Sequence, residues 1–273
     1  MNGPVVIKLG GAAIDEAASL EHLWRDIASL AADPNGRGVV VVHGGGSAVD
    51  RLFDRLGLEV QRRDGLRITP DDQVGLVVAA IAGEVNARLC ARLRAVGAEA
   101  MGLTLSSAGF ACEPKSRTEL GCVGVVRGRV GDRVESLLEQ GVVPVIACVG
   151  DDGRAGLLNV NGDDAAGGVA FFCAAHRLIL LSDVDGVRGP DGSILREIKD
   201  ELEVLQLIDS GTVHSGMIPK LKAAAALSVD AHIPVVIAPW KRPGVVLEVA
   251  QGRPAGTLIG RSEAELFWSE ETS

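Results

Sequence analysis

Lys8 stands inside an apolar, β-branched run, Pro4-Val5-Val6-Ile7-Lys8-Leu9, that breaks into Gly10-Gly11. A strand buried on both faces has no use for an ammonium group, which is costly to desolvate without a partner. Lys8 is therefore read as aimed at an anion. The double glycine fits that reading, because residues without a Cβ let backbone N–H groups approach a phosphate where a strand gives way to a helix. A second device of this kind follows at Val39-Val40-Val41-Val42-His43-Gly44-Gly45-Gly46. Two such loops within the first 46 residues point to phosphoryl chemistry. The run Gly216-Met217-Ile218-Pro219-Lys220 offers a further cation; without the Gly-Met-Ile-Pro before it, Lys220 would read rather as a surface lysine at a helix N-terminus.

The elements that must position these residues follow from periodicity. Short β-branched runs alternate with helical spacing, the pattern of a parallel sheet covered by helices on both faces. The spacing predicts strands over 4–9, 39–42, 98–103, 142–149, 178–182, 234–238 and 256–259. It predicts helices over 16–32, 47–56, 71–96, 132–140, 165–175, 200–210 and 221–229, with 216–220 as a loop. Residues 104–130 are rich in Gly, Ser and isolated Val and read as an antiparallel hairpin, a flap over a site. The tail 261–273 is acidic and is expected to be poorly ordered.

Composition excludes several classes. A net charge of -9 argues against a nucleic-acid or anionic-membrane surface, either of which needs clustered Lys and Arg. The five cysteines form no C-x-x-C pair and read as buried hydrophobes in a reducing compartment. No signal peptide and no uninterrupted apolar stretch of membrane-spanning length is evident, so the expectation is a cytoplasmic protein. Neither G-x-x-x-x-G-K-[ST] nor G-x-G-x-x-G after a strand occurs, which removes P-loop NTPases, protein kinases and Rossmann dehydrogenases.

Six motifs occur in order: V-x-I-K-L-G-G from Val5, V-V-H-G-G-G from Val41, G-L-R-x-T at 65–69, N-V-N-x-D-x-A-A at 159–166, L-L-S-D-V-x-G at 180–186 and G-M-I-P-K at 216–220. This set resembles the amino acid kinase family over residues 4–260. The resemblance implies a three-layer α/β/α sandwich with a mainly parallel open sheet and a hairpin flap. It implies an N-terminal lobe, 1–175, for an acyl amino acid and a C-terminal lobe, 176–273, for ATP. Within the family the motifs lie nearest the members that phosphorylate the side-chain carboxylate of N-acetyl-L-glutamate in arginine biosynthesis.

That reaction is consistent with the residues. A carboxyl group with a pKa of roughly 4.3 is already the nucleophile at neutral pH, so positive charge and alignment are needed rather than a general base. By resemblance, Lys8 and Lys220 flank the transferring phosphoryl group and Asp163 organises them. Arg67 and Asn159 fall to the substrate's α-carboxylate and amide, and Gly44 and Gly45 to the reacting oxygens. Gly10 and Gly11 are assigned to the nucleotide. So are Asp183, Val184, Asp185, Gly186, Val187, Arg188, Thr212, Val213 and His214, which lie where the family lines its adenine and ribose pocket. Mg²⁺ is implied as the ATP counter-ion with no protein ligand assigned. His43 is read as structural, Arg62 and Arg63 as solvated, and Asp164 as a helix N-terminal carboxylate.

Gly162 and Asp164 depart from the family's usual Ala and Thr or Gln, and 103–113 departs from its usual loop. The nearest rival substrate is an aminoadipate derivative; a non-catalytic ligand sensor on the same scaffold is the rival of another class. Only residues 1–3 precede the first strand, leaving no room for the extra N-terminal helix of arginine-inhibited members. The expectation is a homodimer insensitive to L-arginine. In helix 71–96 the stripe Val74, Val77, Val78, Ile81, Val85 and Leu89 either crosses a two-fold axis or faces its own sheet.

Overall fold

β-Branched runs without a polar face need cover on both sides, and the chain supplies it. The structure, a computed structural model, describes residues 3–213 and 217–260. Its strands in chain order are β1 (Val5–Leu9), β2 (Val39–His43), β3 (Arg62–Arg63), β4 (Leu66–Arg67), β5 (Ala100–Thr104), β6 (Phe110–Pro114) and β7 (Val123–Arg129). They continue as β8 (Val143–Ala147), β9 (Val149–Asp151), β10 (Leu157–Val160), β11 (Arg177–Ser182), β12 (Glu197–Ile198), β13 (Val235–Pro239) and β14 (Thr257–Ile259). Eight of them form one sheet in the order β12-β14-β13-β11-β1-β2-β8-β5. All its pairings are parallel except β13 with β14. Every residue of β1, β2, β8, β11 and β13 is buried.

The sheet runs unbroken from the N-terminal to the C-terminal part of the chain, because β1 pairs directly with β11, Lys8 opposite Leu180. Alternation along β1 sorts its side chains. Val5, Ile7 and Leu9 join Leu23, Trp24, Leu89 and Val246 in one core. Val6 joins Ala166, Val169 and Leu221 in the other. Period two therefore turns Lys8 to the face that carries the helices Gly162–Phe172 and Ile218–Ala231.

The hairpin region is larger than a flap. β6 and β7 pair antiparallel, and β10 and β9 extend them into a four-stranded sheet, β6-β7-β10-β9. The expected strand 142–149 divides into β8 and β9 around Cys148. The expected helix 16–32 begins at Glu21, after a short Gly11–Asp15 turn of helix. Two helices start three residues earlier than periodicity predicts. The one at Gly162 is capped by Asn161, whose Oδ1 accepts from the N–H groups of Asp163 and Asp164. The other starts at Ile218 with a proline in its first turn, so Lys220 lies on a helix rather than in a loop.

The long helix, Val74–Ala95, contains a π-helical stretch, Ala79–Val85. Val77, Ile81, Val85 and Leu89 are buried in the chain's own cores and Val78 packs against one of them, so the stripe faces its own sheet. By length and apolarity this helix could cross a membrane, a test that the core helix of a globular domain also passes.

Candidate active site

Lys8 is 7% exposed, and its Nζ lies 2.8 Å from Asp163 Oδ1. Apart from that ion pair Oδ1 has no hydrogen-bond partner among the described residues. Asp163 occupies the first turn of the Gly162–Phe172 helix, where the helix dipole also favours a carboxylate. Burial alone would raise its pKa; the charges of Lys8 and Lys220 outweigh that and hold it below the usual carboxylate value. Lys220 shows the converse balance. Burial and the Lys8 ammonium push its pKa below the ordinary 10.5, while Asp163 and Asp183 pull it back. Lys8, Asp163 and Lys220, more than 150 residues apart in part, thus meet as one charged cluster, with Asp183 at the end of β11 acting on it.

The glycines gather at the same point. A Cβ on Gly10 would lie 3.6 Å from Lys8 Nζ, and one on Gly162 would lie 3.4 Å from Lys8 Cε and 3.6 Å from Gly44 Cα. The familial alanine would therefore fit at 162 in ordinary contact. Gly11 borders Ser47, whose Oγ would lie 3.5 Å from its Cβ. The Gly44 N–H donates to Leu9 O at 3.3 Å, while that of Gly45 has no acceptor among the described residues.

Arg67 and Asn159 stand on neighbouring elements of this end of the molecule. Arg67 Nη2 donates to Asp50 Oδ1 at 2.5 Å and to Gly46 O at 3.1 Å, and its guanidinium lies over the Phe53 ring. Its Nη1 is buried and has no hydrogen-bond partner among the described residues, a donor left over for a substrate carboxylate. Asn159 Nδ2 donates to Thr69 Oγ1 at 3.1 Å. Arg62, read from sequence as solvated, is ion-paired to Asp50 at 2.8 Å. Burial would raise the Asp50 pKa, but Arg67 and Arg62 lower it, so Asp50 is a fixed anion holding both arginines. The sequence carries its signal only as an acid one helical turn after Gly46.

Of the residues assigned to the nucleotide, Asp183, Val184 and Asp185 are exposed. Gly186 and Val187 instead anchor their loop: a Cβ on Gly186 would meet Thr257 Oγ1, and Val187 N–H donates to that oxygen at 2.8 Å. Arg188 donates to Gly192 O, and Thr212 pairs with Ser210. Val213 is in the core. His214 lies outside the described residues. Asp164 is engaged by Lys115 of the hairpin at 3.3 Å.

A buried Lys8–Asp163 ion pair within electrostatic reach of Lys220, beside glycine loops at the ends of parallel strands, is an arrangement of charge suited to phosphoryl transfer without a P-loop. The family model described as the amino acid kinase family matches residues 3–239. The chain belongs to the amino acid kinase family. It is 36% identical over 94% of its length to the acetylglutamate kinase of Actinobacillus succinogenes, covering 98% of that protein. It is 34% identical to that of Colwellia psychrerythraea over 94% of its length and 96% of that protein. Among solved structures, smu.665 from Streptococcus mutans matches with a TM-score of 0.76 and 29% identity, over 95% of this chain and 99% of that one.

Proposed function

We infer that this chain is an enzyme that transfers the γ-phosphoryl group of ATP to the side-chain carboxylate of N-acetyl-L-glutamate, giving an acyl phosphate for arginine biosynthesis. The acetylglutamate kinases it resembles along nearly their whole length support the substrate. The observation that carries the chemistry is the cluster of Lys8, Asp163 and Lys220. Two anions must be brought into line, and their repulsion is the main obstacle. Lys8 neutralises the charge arriving from the acyl amino acid and Lys220 that from the nucleotide. Asp163 keeps both ammonium groups charged and pointed at the transfer axis. Arg67, held by Asp50, presents Nη1 to the α-carboxylate, and Asn159 takes the amide. In this reading residues 1–175 take the acyl amino acid and 176–273 the nucleotide.

Mg²⁺ arrives as the counter-ion of ATP and supplies charge neutralisation. Among the described residues no group of three or more His, Cys, Asp or Glu side chains gathers, and the Asp163 charge is taken up by lysine. Phosphate oxygens and water would then hold the ion. The free, buried cysteines suit a reducing, cytoplasmic setting. A homodimer is supported by the open sheet-edge strand β5 and by the exposed small residues Gly75, Ala79 and Gly83 of the long helix.

A coupled assay of ADP release tests the substrate. Turnover with N-acetyl-L-glutamate well above that with N-acetyl-aminoadipate is expected; preference for the longer acid, or no turnover with either, would overturn the reading.

A further inference from the structure

Beneath the second glycine loop lies a buried polar network that the reaction as described leaves unused. His43 is 0% and Asn86 5% exposed. Asn86 Nδ2 donates to Val145 O at 2.8 Å and sits 2.9 Å from His43 Nε2. An amide nitrogen can only donate, so Nε2 is the acceptor and the imidazole proton is on Nδ1. Nδ1–H then donates to Gly44 O at 2.7 Å. Asn86 is itself fixed. The Cys90 thiol lies 3.8 Å from its Oδ1, and a Cβ at Gly102 would collide with that oxygen. The residue follows directly on the π-helical stretch Ala79–Val85, whose Ile81 and Val85 press against Gly45; such stretches recur at functional sites.

In a trans peptide the C=O and the following N–H point in opposite directions, and the described chain has no cis bond. With Gly44 O held inward, the Gly45 N–H points outward, and no acceptor among the described residues takes it. Gly44 faces Gly162, on which a Cβ would lie 3.6 Å from Gly44 Cα and 3.4 Å from Lys8 Cε, and there is open space where a Cβ of Gly44 itself would be. We propose that His43 and Asn86 are positioning residues that lock the Gly44–Gly45 peptide, so that the Gly45 N–H is presented to an oxygen of the reacting carboxylate or phosphoryl group. Its effect on rate rests on the kinase reading; its effect on the backbone does not. Neither side chain touches substrate.

The test compares His43→Asn, His43→Gln and Asn86→Ala with the wild type. An asparagine amide nitrogen overlays imidazole Nδ1 and a glutamine one overlays Nε2, so only His43→Asn restores the donor to Gly44 O. His43→Gln and Asn86→Ala are expected to lower kcat about 10- to 100-fold, as misplacing one donor to developing charge does. Both KM values should stay within about twofold, because the contact acts in the transition state. His43→Asn should recover most of kcat, and crystal structures should show the Gly44–Gly45 peptide kept in that variant and turned in His43→Gln. Equal kcat in all four proteins, His43→Asn falling as far as His43→Gln, or an unturned peptide in His43→Gln would each overturn the proposal. If the wild type leaves N-acetyl-L-glutamate untouched, the proposed function fails while the two crystal structures still decide this inference. If His43→Gln does not fold, Asn86→Ala and His43→Asn carry the comparison.

Discussion

Lys220 is the most sensitive reporter among the site's residues. In the role proposed for it Lys220 must be protonated, and burial and the Lys8 charge hold its pKa below 10.5. Activity should therefore fall on the alkaline side at a pH lower than an ordinary lysine would give. Asp163 and Asp183 oppose that shift. Removing the Asp163 charge with Asp163→Asn should lower the Lys220 pKa further, so the alkaline limb of the kcat profile moves to lower pH in addition to the loss of rate. A limb that stays in place, or moves to higher pH, would show that Lys220 and Asp163 are not coupled in the working enzyme. Lys8 stands out in the sequence as a lysine in a buried strand, whereas Lys220 and Asp163 stand out only through the ordered set of motifs, since a lysine at a helix N-terminus alone reads as a surface residue. Asp50 and the His43–Asn86 pair do not, because each is an ordinary residue of its element. Only the fold brings Asn86 across 43 positions to His43.

At the scale of elements, the glycine loop and the long helix are fitted to each other. The Gly45 φ of 168° is extended backbone that any residue adopts, so its need for glycine is steric. A Cβ there would lie 3.0 Å from Ile81 Cγ1 and 3.4 Å from Val85 Cγ2. Gly45→Ala is expected to cost about 1–3 kcal/mol by overpacking, read as a lower denaturant midpoint. Combined with Ile81→Ala, the loss should be smaller than the sum of the two single variants. Additive losses would mean that loop and helix do not share this contact. Periodicity gave the helices but not their starts. It places the Gly162–Phe172 helix at 165–175, three residues late, because Gly162 and Asp163 have the composition of a loop and it is Asn161 that caps them into the helix. The 104–130 region read as a hairpin, whereas its joining to β10 depends on Asn159 pairing with Val123, a contact no local pattern contains.

At the scale of the whole molecule, the edge strand β5 is left open, and the neighbouring helix exposes Gly75, Ala79 and Gly83 ahead of its Glu84–Arg88 ion pair. Exposed strand edges of this kind are usually covered. Light scattering should give twice the 28.3 kDa chain mass, with activity unchanged by L-arginine. A monomer would leave that edge uncovered, and a hexamer or strong arginine inhibition would place control elsewhere in the chain. The strand order itself was legible only as a class, since the β-branched runs state that a covered parallel sheet forms and not which run lies beside which. The adjacency of β1 and β11, which brings the Lys8 strand beside the strand leading to Asp183, came from the structure.

In the function proposed for this chain, two lysines and an aspartate drive phosphoryl transfer onto a carboxylate. Hydroxylamine trapping tests it directly, because it converts an acyl phosphate to a hydroxamate that can be counted. With ATP, Mg²⁺ and N-acetyl-L-glutamate the wild type should form hydroxamate in step with ADP. Lys8→Ala and Lys220→Ala should each reduce the rate by about 10²-fold or more, with the KM for ATP changed far less. ADP released without hydroxamate, or a lysine variant that keeps near-normal kcat, would contradict the account.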